Sequence, residues 1–227
     1  MQSILLLHGA IGAADQLQPL AHLLNDRFTF HTFNFSGHGG EPFRDAFSIP
    51  QFARELDNYI SEHQIQSPSV FGYSMGGYVA MYYAKHYPGR INKIITLGTK
   101  FYWDEEVAAK EIKMLDAEKI ELKIPAFAAE LAQRHAPNDW KIVLAKTREL
   151  MLVLGRHEEG WQDDFSSVFN SSLLLLGESD TMVSREETEA VQATIPNAEF
   201  RILPGTPHPI GQVDMSQLNK IIGEFFI

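Results

Sequence analysis

The pentapeptide Gly72-Tyr73-Ser74-Met75-Gly76 sets a serine between two glycines in a G-x-S-x-G arrangement. A serine hydroxyl attacks a carbonyl only when a base takes its proton, and a histidine oriented by a carboxylate is the usual means. The spacing matters because such a nucleophile stands on a strand-to-helix turn so tight that a side chain at either glycine would collide across it. Among nine histidines, His208 in Gly205-Thr206-Pro207-His208-Pro209 comes late in the chain, in a loop, and is the candidate base. His31 falls within a strand pattern, His22, His63 and His86 on helical patterns, and His135 and His157 in a charged helical stretch. Asp180, in Gly177-Glu178-Ser179-Asp180, stands one connection before His208 and is the candidate carboxylate, with Asp104 second and Glu178 only two residues away. It would hold the imidazole in one tautomer and stabilise the imidazolium without taking the proton itself.

An attacked carbonyl also needs donors for its developing oxyanion. One is the backbone N–H of Met75, at the start of a helix directly after the serine. The second is expected from the loop His8-Gly9-Ala10-Ile11-Gly12, with Ala10 as donor and Ile11 as neighbour. His8 is expected to order this loop and not to take part in chemistry.

These residues need a scaffold that delivers them to one rim. Short apolar runs alternate with longer helical patterns, which is the signature of a parallel sheet covered by helices. Strands are expected over residues 3–7, 28–33, 69–72, 91–97, 173–176 and 199–203, and helices over 15–25, 75–87, 185–195 and 215–226. A further helix is expected after Ser48, a capping residue, with Pro50 in its first turn and Phe52, Leu56 and Tyr59 on one face. Ser74, Asp180 and His208 each follow a strand, at the carboxyl edge of the sheet where ligands bind in such folds.

After Thr99 the rhythm changes. Residues 101–165 show no strand pattern, only helical stretches broken at Pro125, Pro137 and Gly155, and they carry 14 acidic against 9 basic residues. The expected organisation is a core of residues 1–100 and 166–227 with a helical cap inserted over 101–165. Trp140, Val143, Leu144, Leu150, Met151 and Leu154 require a packing partner, which a cap lying over the sheet would provide.

Composition narrows the partners. With 44% hydrophobic residues and 25 aromatics in 227 positions, the chain can fill a core. Nineteen Lys and Arg against 29 Asp and Glu leave a net charge of −10, which repels phosphate backbones and anionic lipid. Neither nucleic acid nor membrane is therefore an expected partner, and a small-molecule substrate is. The absence of cysteine removes disulfides, thiolate zinc sites and a cysteine nucleophile. No H-E-x-x-H or other ligand spacing calls for a metal, and no cofactor is expected. The apolar run at residues 4–7 is too short for a signal-peptide core and has no Lys or Arg before it, so a cytoplasmic protein is expected. The oligomeric state is open.

HGAIG, NFSGHG, GYSMGG, GESD and the final His208 occur in an order that resembles the α/β-hydrolase superfamily over nearly the whole chain except the cap. The resemblance implies an α/β fold with Ser74 as nucleophile, His208 as base and Asp180 as its partner. Residue 1 lies directly before the first strand, so the family's two leading strands are expected to be missing. The sheet would then have six parallel strands, with 28–33 at an edge. Asn34 stands where relatives carry Asp in D-x-x-G-x-G, which bears on local hydrogen bonding and not on catalysis. Ser74 argues against the dehalogenases and epoxide hydrolases of this fold, which use aspartate there. Lyases of the family usually carry Arg four residues beyond the serine, where this chain has Tyr78. The expected activity is hydrolysis of a carboxylic ester or thioester of a mostly apolar substrate through an acyl-enzyme. The alternatives are a lyase or synthase of the same fold, or a receptor that keeps the triad.

Overall fold

Side chains of the first strand, β1 (Gln2–Leu7), point alternately to opposite faces, and both faces are buried. Ile4 and Leu6 join one core, and Leu5 and Leu7 the other. A strand apolar on both faces requires helices on both sides of its sheet. A computed structural model of the chain describes residues 1–157 and 164–227, so residues 158–163 of the expected cap segment lie outside the described residues.

A 3-10 turn over Ala14–Leu17 leads into α1 (Gln18–Leu23), followed by β2 (Phe28–Thr32), α2 (Ile49–Glu62), β3 (Ser69–Tyr73), α3 (Met75–His86) and β4 (Ile94–Leu97). Then come α4 (Glu105–Glu111), α5 (Ala117–Lys123), α6 (Pro125–His135) and α7 (Trp140–Arg156), with no strand among them in the described residues. The sheet resumes with β5 (Ser172–Gly177), α8 (Arg185–Gln192), β6 (Ala198–Leu203) and α9 (Met215–Phe225).

The six strands of the described residues pair in parallel in the order β2-β1-β3-β4-β5-β6, with β2 at one edge as the family resemblance implies. Leu17, Leu20, Leu218 and Ile222 from α1, α9 and the turn before α1 cover one face. Phe52, Leu56, Val79, Tyr83 and Val191 from α2, α3 and α8 cover the other. Each fully buried leucine in these layers contributes roughly 2 kcal/mol. From β1 the chain moves outward to β2 and then returns across β1 to β3. The order therefore reverses between β1 and β3, and a crevice opens there beyond the carboxyl ends of the strands.

Two elements start later than their patterns suggest, and α8 ends at Gln192, three residues before its pattern does. The helix expected from residue 15 starts as a 3-10 turn and becomes α-helical only at Gln18, with Pro19 in the first turn. The strand expected from residue 91 begins at Ile94. The Ile91 and Asn92 carbonyls are taken by the Asn170 side chain at 2.9 and 2.6 Å, which holds that approach without a strand partner.

Between β4 and β5, aspartates start three helices: the Asp104, Asp116 and Asp139 side chains accept backbone N–H groups at the beginnings of α4, α5 and α7. Part of the segment's acidity is thus helix capping. Its apolar residues divide between two partners. Val143 and Leu150 join the core over the sheet, while Trp140 and Leu144 pack with Leu115, Ile120 and Leu131 in a small core of their own. No helix among the described residues is long and apolar enough to cross a membrane.

Candidate active site

Ser74 lies between the end of β3 and the start of α3 with φ 51° and ψ −118°. Positive φ at a non-glycine residue costs on the order of 1–3 kcal/mol and persists only where the surroundings impose it. Here the Ser74 N–H donates to the Leu97 carbonyl at 2.8 Å, and the Ser74 carbonyl accepts from Gly77 N–H at 3.0 Å and from the Thr99 hydroxyl at 3.1 Å. The flanking glycines make the turn possible. A Cβ on Gly72 would sit 2.5 Å from the Gly76 carbonyl oxygen, and one on Gly76 would run into the Leu7 and His8 carbonyls of β1 and its following residue.

His208 and Asp180 meet directly, with Nδ1 of the ring 2.7 Å from Oδ2 of the carboxylate. The Asp180 side chain is almost wholly buried, at 1% exposure, against 11% for His208. Its other oxygen, Oδ1, accepts from the Met182 and Val183 N–H groups at 2.8 and 3.0 Å, which fixes the carboxylate facing the ring. Burial by itself would raise this carboxyl. The His208 hydrogen bond and charge, with the two backbone N–H groups, outweigh burial and hold it below the ordinary carboxylate value. The competing carboxylates are engaged elsewhere. Asp104 caps α4 through Val107 N–H at 2.7 Å, and Glu178 accepts from Gly205 N–H at 2.8 Å.

Ala10, Ser74, Met75 and His208 line a single cavity with about 530 Å³ of empty space, part of it open to solvent. Its walls are mostly apolar: Ile49, Tyr78 and Trp103, then Leu150, Met151 and Leu154 from α7, and Met182 and Val183 beyond Asp180. Lys100 and Glu111 add charge at one side. Ala10 follows β1 and Ser74 follows β3, so the two stand on either side of the crevice at the strand-order reversal.

His8 is fully buried, with Nδ1 2.8 Å from the Gly9 carbonyl and Nε2 accepting from Phe35 N–H at 3.2 Å. Burial, above all, lowers its pKa to about 4, so the ring is a neutral tie between the loop after β1 and the chain after β2. Asn34 Oδ1 accepts from Ala14 N–H at 2.7 Å and Nδ2 donates to the Gly39 carbonyl at 3.4 Å. The amide supplies an acceptor, as an aspartate would, and adds a donor that a carboxylate lacks.

Two contacts at this site were not anticipated from the sequence. The Tyr73 hydroxyl donates to the His208 carbonyl at 3.0 Å. His135, at the end of α6, reaches the Ile11 carbonyl through Nε2 at 3.1 Å. Tyr73 occupies an unrestricted position of the G-x-S-x-G pattern, and His135 lies in a stretch with no diagnostic motif, so neither carried a signal.

A family model described as alpha/beta hydrolase fold matches residues 2–117. The chain is 21% identical over 235 residues to the Xenopus laevis sn-1-specific diacylglycerol lipase ABHD11, covering 90% of this chain and 73% of that protein. Over 98 residues it is 29% identical to a pimeloyl-(acyl-carrier protein) methyl ester esterase of Vibrio cholerae, which covers 43% of this chain and 37% of the relative. The crystal structure of the enol-lactonase from Burkholderia xenovorans LB400 superposes with a TM-score of 0.78 at 16% identity, over 99% of this chain and 91% of the other. That degree of likeness shows a shared fold.

Proposed function

The chain belongs to the alpha/beta hydrolase fold family, and from that premise we propose that it is a serine hydrolase cleaving carboxylic esters or thioesters of small to medium, mostly apolar substrates. The observation that carries the reading is the Asp180–His208 contact at 2.7 Å, on the rim of the cavity that Ser74 also lines. The relatives named for ester hydrolysis, the diacylglycerol lipase and the methyl ester esterase, support it at the level of reaction class.

In the proposed reaction the Ser74 hydroxyl oxygen bonds to the substrate carbonyl carbon while His208 Nε2 takes its proton. Asp180 remains ionised and steadies the imidazolium through Nδ1–H. The oxygen of the tetrahedral intermediate accepts from the Ala10 and Met75 backbone N–H groups, each donor of this kind being worth about 3 kcal/mol of barrier. The bond to the leaving alcohol or thiol breaks as His208 returns the proton to it. Water, deprotonated by the same nitrogen, attacks the acyl-enzyme and releases the acid and the Ser74 hydroxyl. Helices α4–α7 act as a cap, and the α7 side chains Leu150, Met151 and Leu154 meet the apolar part of the substrate. Tyr78 is on the cavity wall where lyases of the family carry arginine, which favours hydrolysis over the lyase chemistry.

Turnover of p-nitrophenyl acetate and butyrate by the parent and by Ser74→Ala tests the proposal. The variant should lose kcat by a factor on the order of 10⁶ if the three residues act as a unit. Near-parental turnover by pure Ser74→Ala protein would end it.

A further inference from the structure

His135 is fully buried, yet it belongs to α6, outside the sheet and its immediate helices. Both ring nitrogens are engaged. Nδ1 accepts from Gly39 N–H at 3.1 Å, so the proton of the neutral ring is on Nε2, which donates to the Ile11 carbonyl at 3.1 Å. Burial is the main cause that lowers its pKa, consistent with a neutral ring. The end of α6 is secured to the same place by Asn138, whose side-chain amide donates to the Gly37 and Glu41 carbonyls at 3.2 and 2.6 Å.

Ile11 is an unusual acceptor. Its φ is +52°, a conformation that a β-branched residue adopts only under constraint. It closes the Gly9–Gly12 turn, in which Gly12 N–H donates to the Gly9 carbonyl at 3.1 Å, and directly follows Ala10. Setting the Ile11 carbonyl therefore fixes one end of the short turn that carries the Ala10 N–H. The His8 ring holds the other end through Gly9. One support comes from the sheet and the second from the helical segment between β4 and β5.

We propose that His135 is a positioning residue that holds the 9–12 turn in the shape that aims the Ala10 N–H at a developing oxyanion. The inference rests on the serine-hydrolase reading above. An oxyanion donor acts in the transition state far more than in the bound substrate, so its misplacement lowers kcat with little effect on KM.

The test compares His135→Leu, which keeps apolar bulk and removes both hydrogen bonds, with His135→Gln, whose side-chain amide can again donate to Ile11. Rates on p-nitrophenyl butyrate are expressed per serine titrated by a fluorophosphonate, so that unfolded protein is not counted. His135→Leu should lose about 10- to 100-fold in kcat with KM within about twofold, a part of the 10²–10³ seen when a donor is removed outright. His135→Gln should recover most of that loss. If His135→Leu does not fold, His135→Asn replaces it under the same thresholds, because its shorter amide can serve Gly39 but not Ile11. A kcat within about twofold of the parent in the variant lacking the Ile11 bond overturns the inference. So does a Gln variant as slow as the Leu variant, since the role would then be packing alone. Those results with an inert Ser74→Ala would leave the hydrolase reading standing, whereas an active Ser74→Ala would remove both.

Discussion

The hydroxyl of Tyr73 donates to the main-chain carbonyl of His208 at 3.0 Å, joining the residue before the candidate nucleophile to the candidate base across 135 positions of sequence. Burial, above all, pushes the Tyr73 phenol up to about 12, so it stays protonated and remains a donor at every working pH. Tyr73→Phe keeps the ring and removes only this bond. A lost hydrogen bond of this kind is worth about 1 kcal/mol, and the His208 loop would gain freedom. We expect the unfolding free energy in urea to fall by about that amount and kcat on p-nitrophenyl butyrate by roughly 3- to 10-fold. An unchanged kcat would show that the loop is held well enough by the Asp180 bond alone.

Gly98 supplies a second check on the pair. Its φ is +57°, and a Cβ there would lie 3.2 Å from both Asp180 Oδ2 and His208 Nδ1. Gly98→Ala would strain the backbone by about 1–2 kcal/mol and press the two side chains apart. The expected result is a kcat loss of about 10-fold or more, greater than the modest drop in thermal midpoint would explain. A stable variant with parental kcat would mean that the pair can shift without consequence.

Mild acid should destabilise the protein, because histidines buried in the neutral state take up protons on unfolding. His8 takes a proton in the unfolded chain near 6.5 but in the fold only near 4, chiefly because it is buried. Protons therefore favour the unfolded state. The stabilisation is fully present above about pH 6.5 and is lost as pH falls toward the folded value. From His8 alone, urea unfolding at pH 5 should give roughly 2 kcal/mol less stability than at pH 7.5. His38 and His135 are shifted downward by burial as well and act with the same sign. The depressed Asp180 carboxyl adds a further loss that begins as pH falls into the ordinary carboxylate range and continues below it. Stability that is flat or rising between pH 7.5 and 5 would contradict the neutral state assigned to these rings.

The sequence disclosed most where local pattern and structure share a period. β1 and β5 are short apolar runs between turn residues, and α2 opens at Ser48, whose side chain accepts from Gln51 N–H at 3.1 Å as a capping residue should. The strand–turn–helix context of Ser74 could be read because two glycines flank it. Asp104, Glu178 and Asp180 all lie between Ser74 and His208 in the chain, and the sequence favours Asp180 only by its place at a strand end one connection before His208. In the structure the Asp180 carboxylate meets the His208 ring, while Asp104 and Glu178 accept backbone N–H groups. Contacts closed by folding left no local trace. Tyr73 to His208 and His135 to Ile11 span 135 and 124 residues, and no periodicity records such a meeting. β4 starts at Ile94, later than its apolar pattern, since Ile91 is apolar enough for a strand while its carbonyl accepts from the Asn170 side chain.

The most direct measurement is to treat the protein with a fluorophosphonate and map the adduct by peptide mass spectrometry while following ester turnover. The account predicts one adduct per chain, on Ser74, with fluoride released and ester turnover falling in proportion to labelling. An adduct on another residue, or full turnover by quantitatively labelled protein, would contradict it.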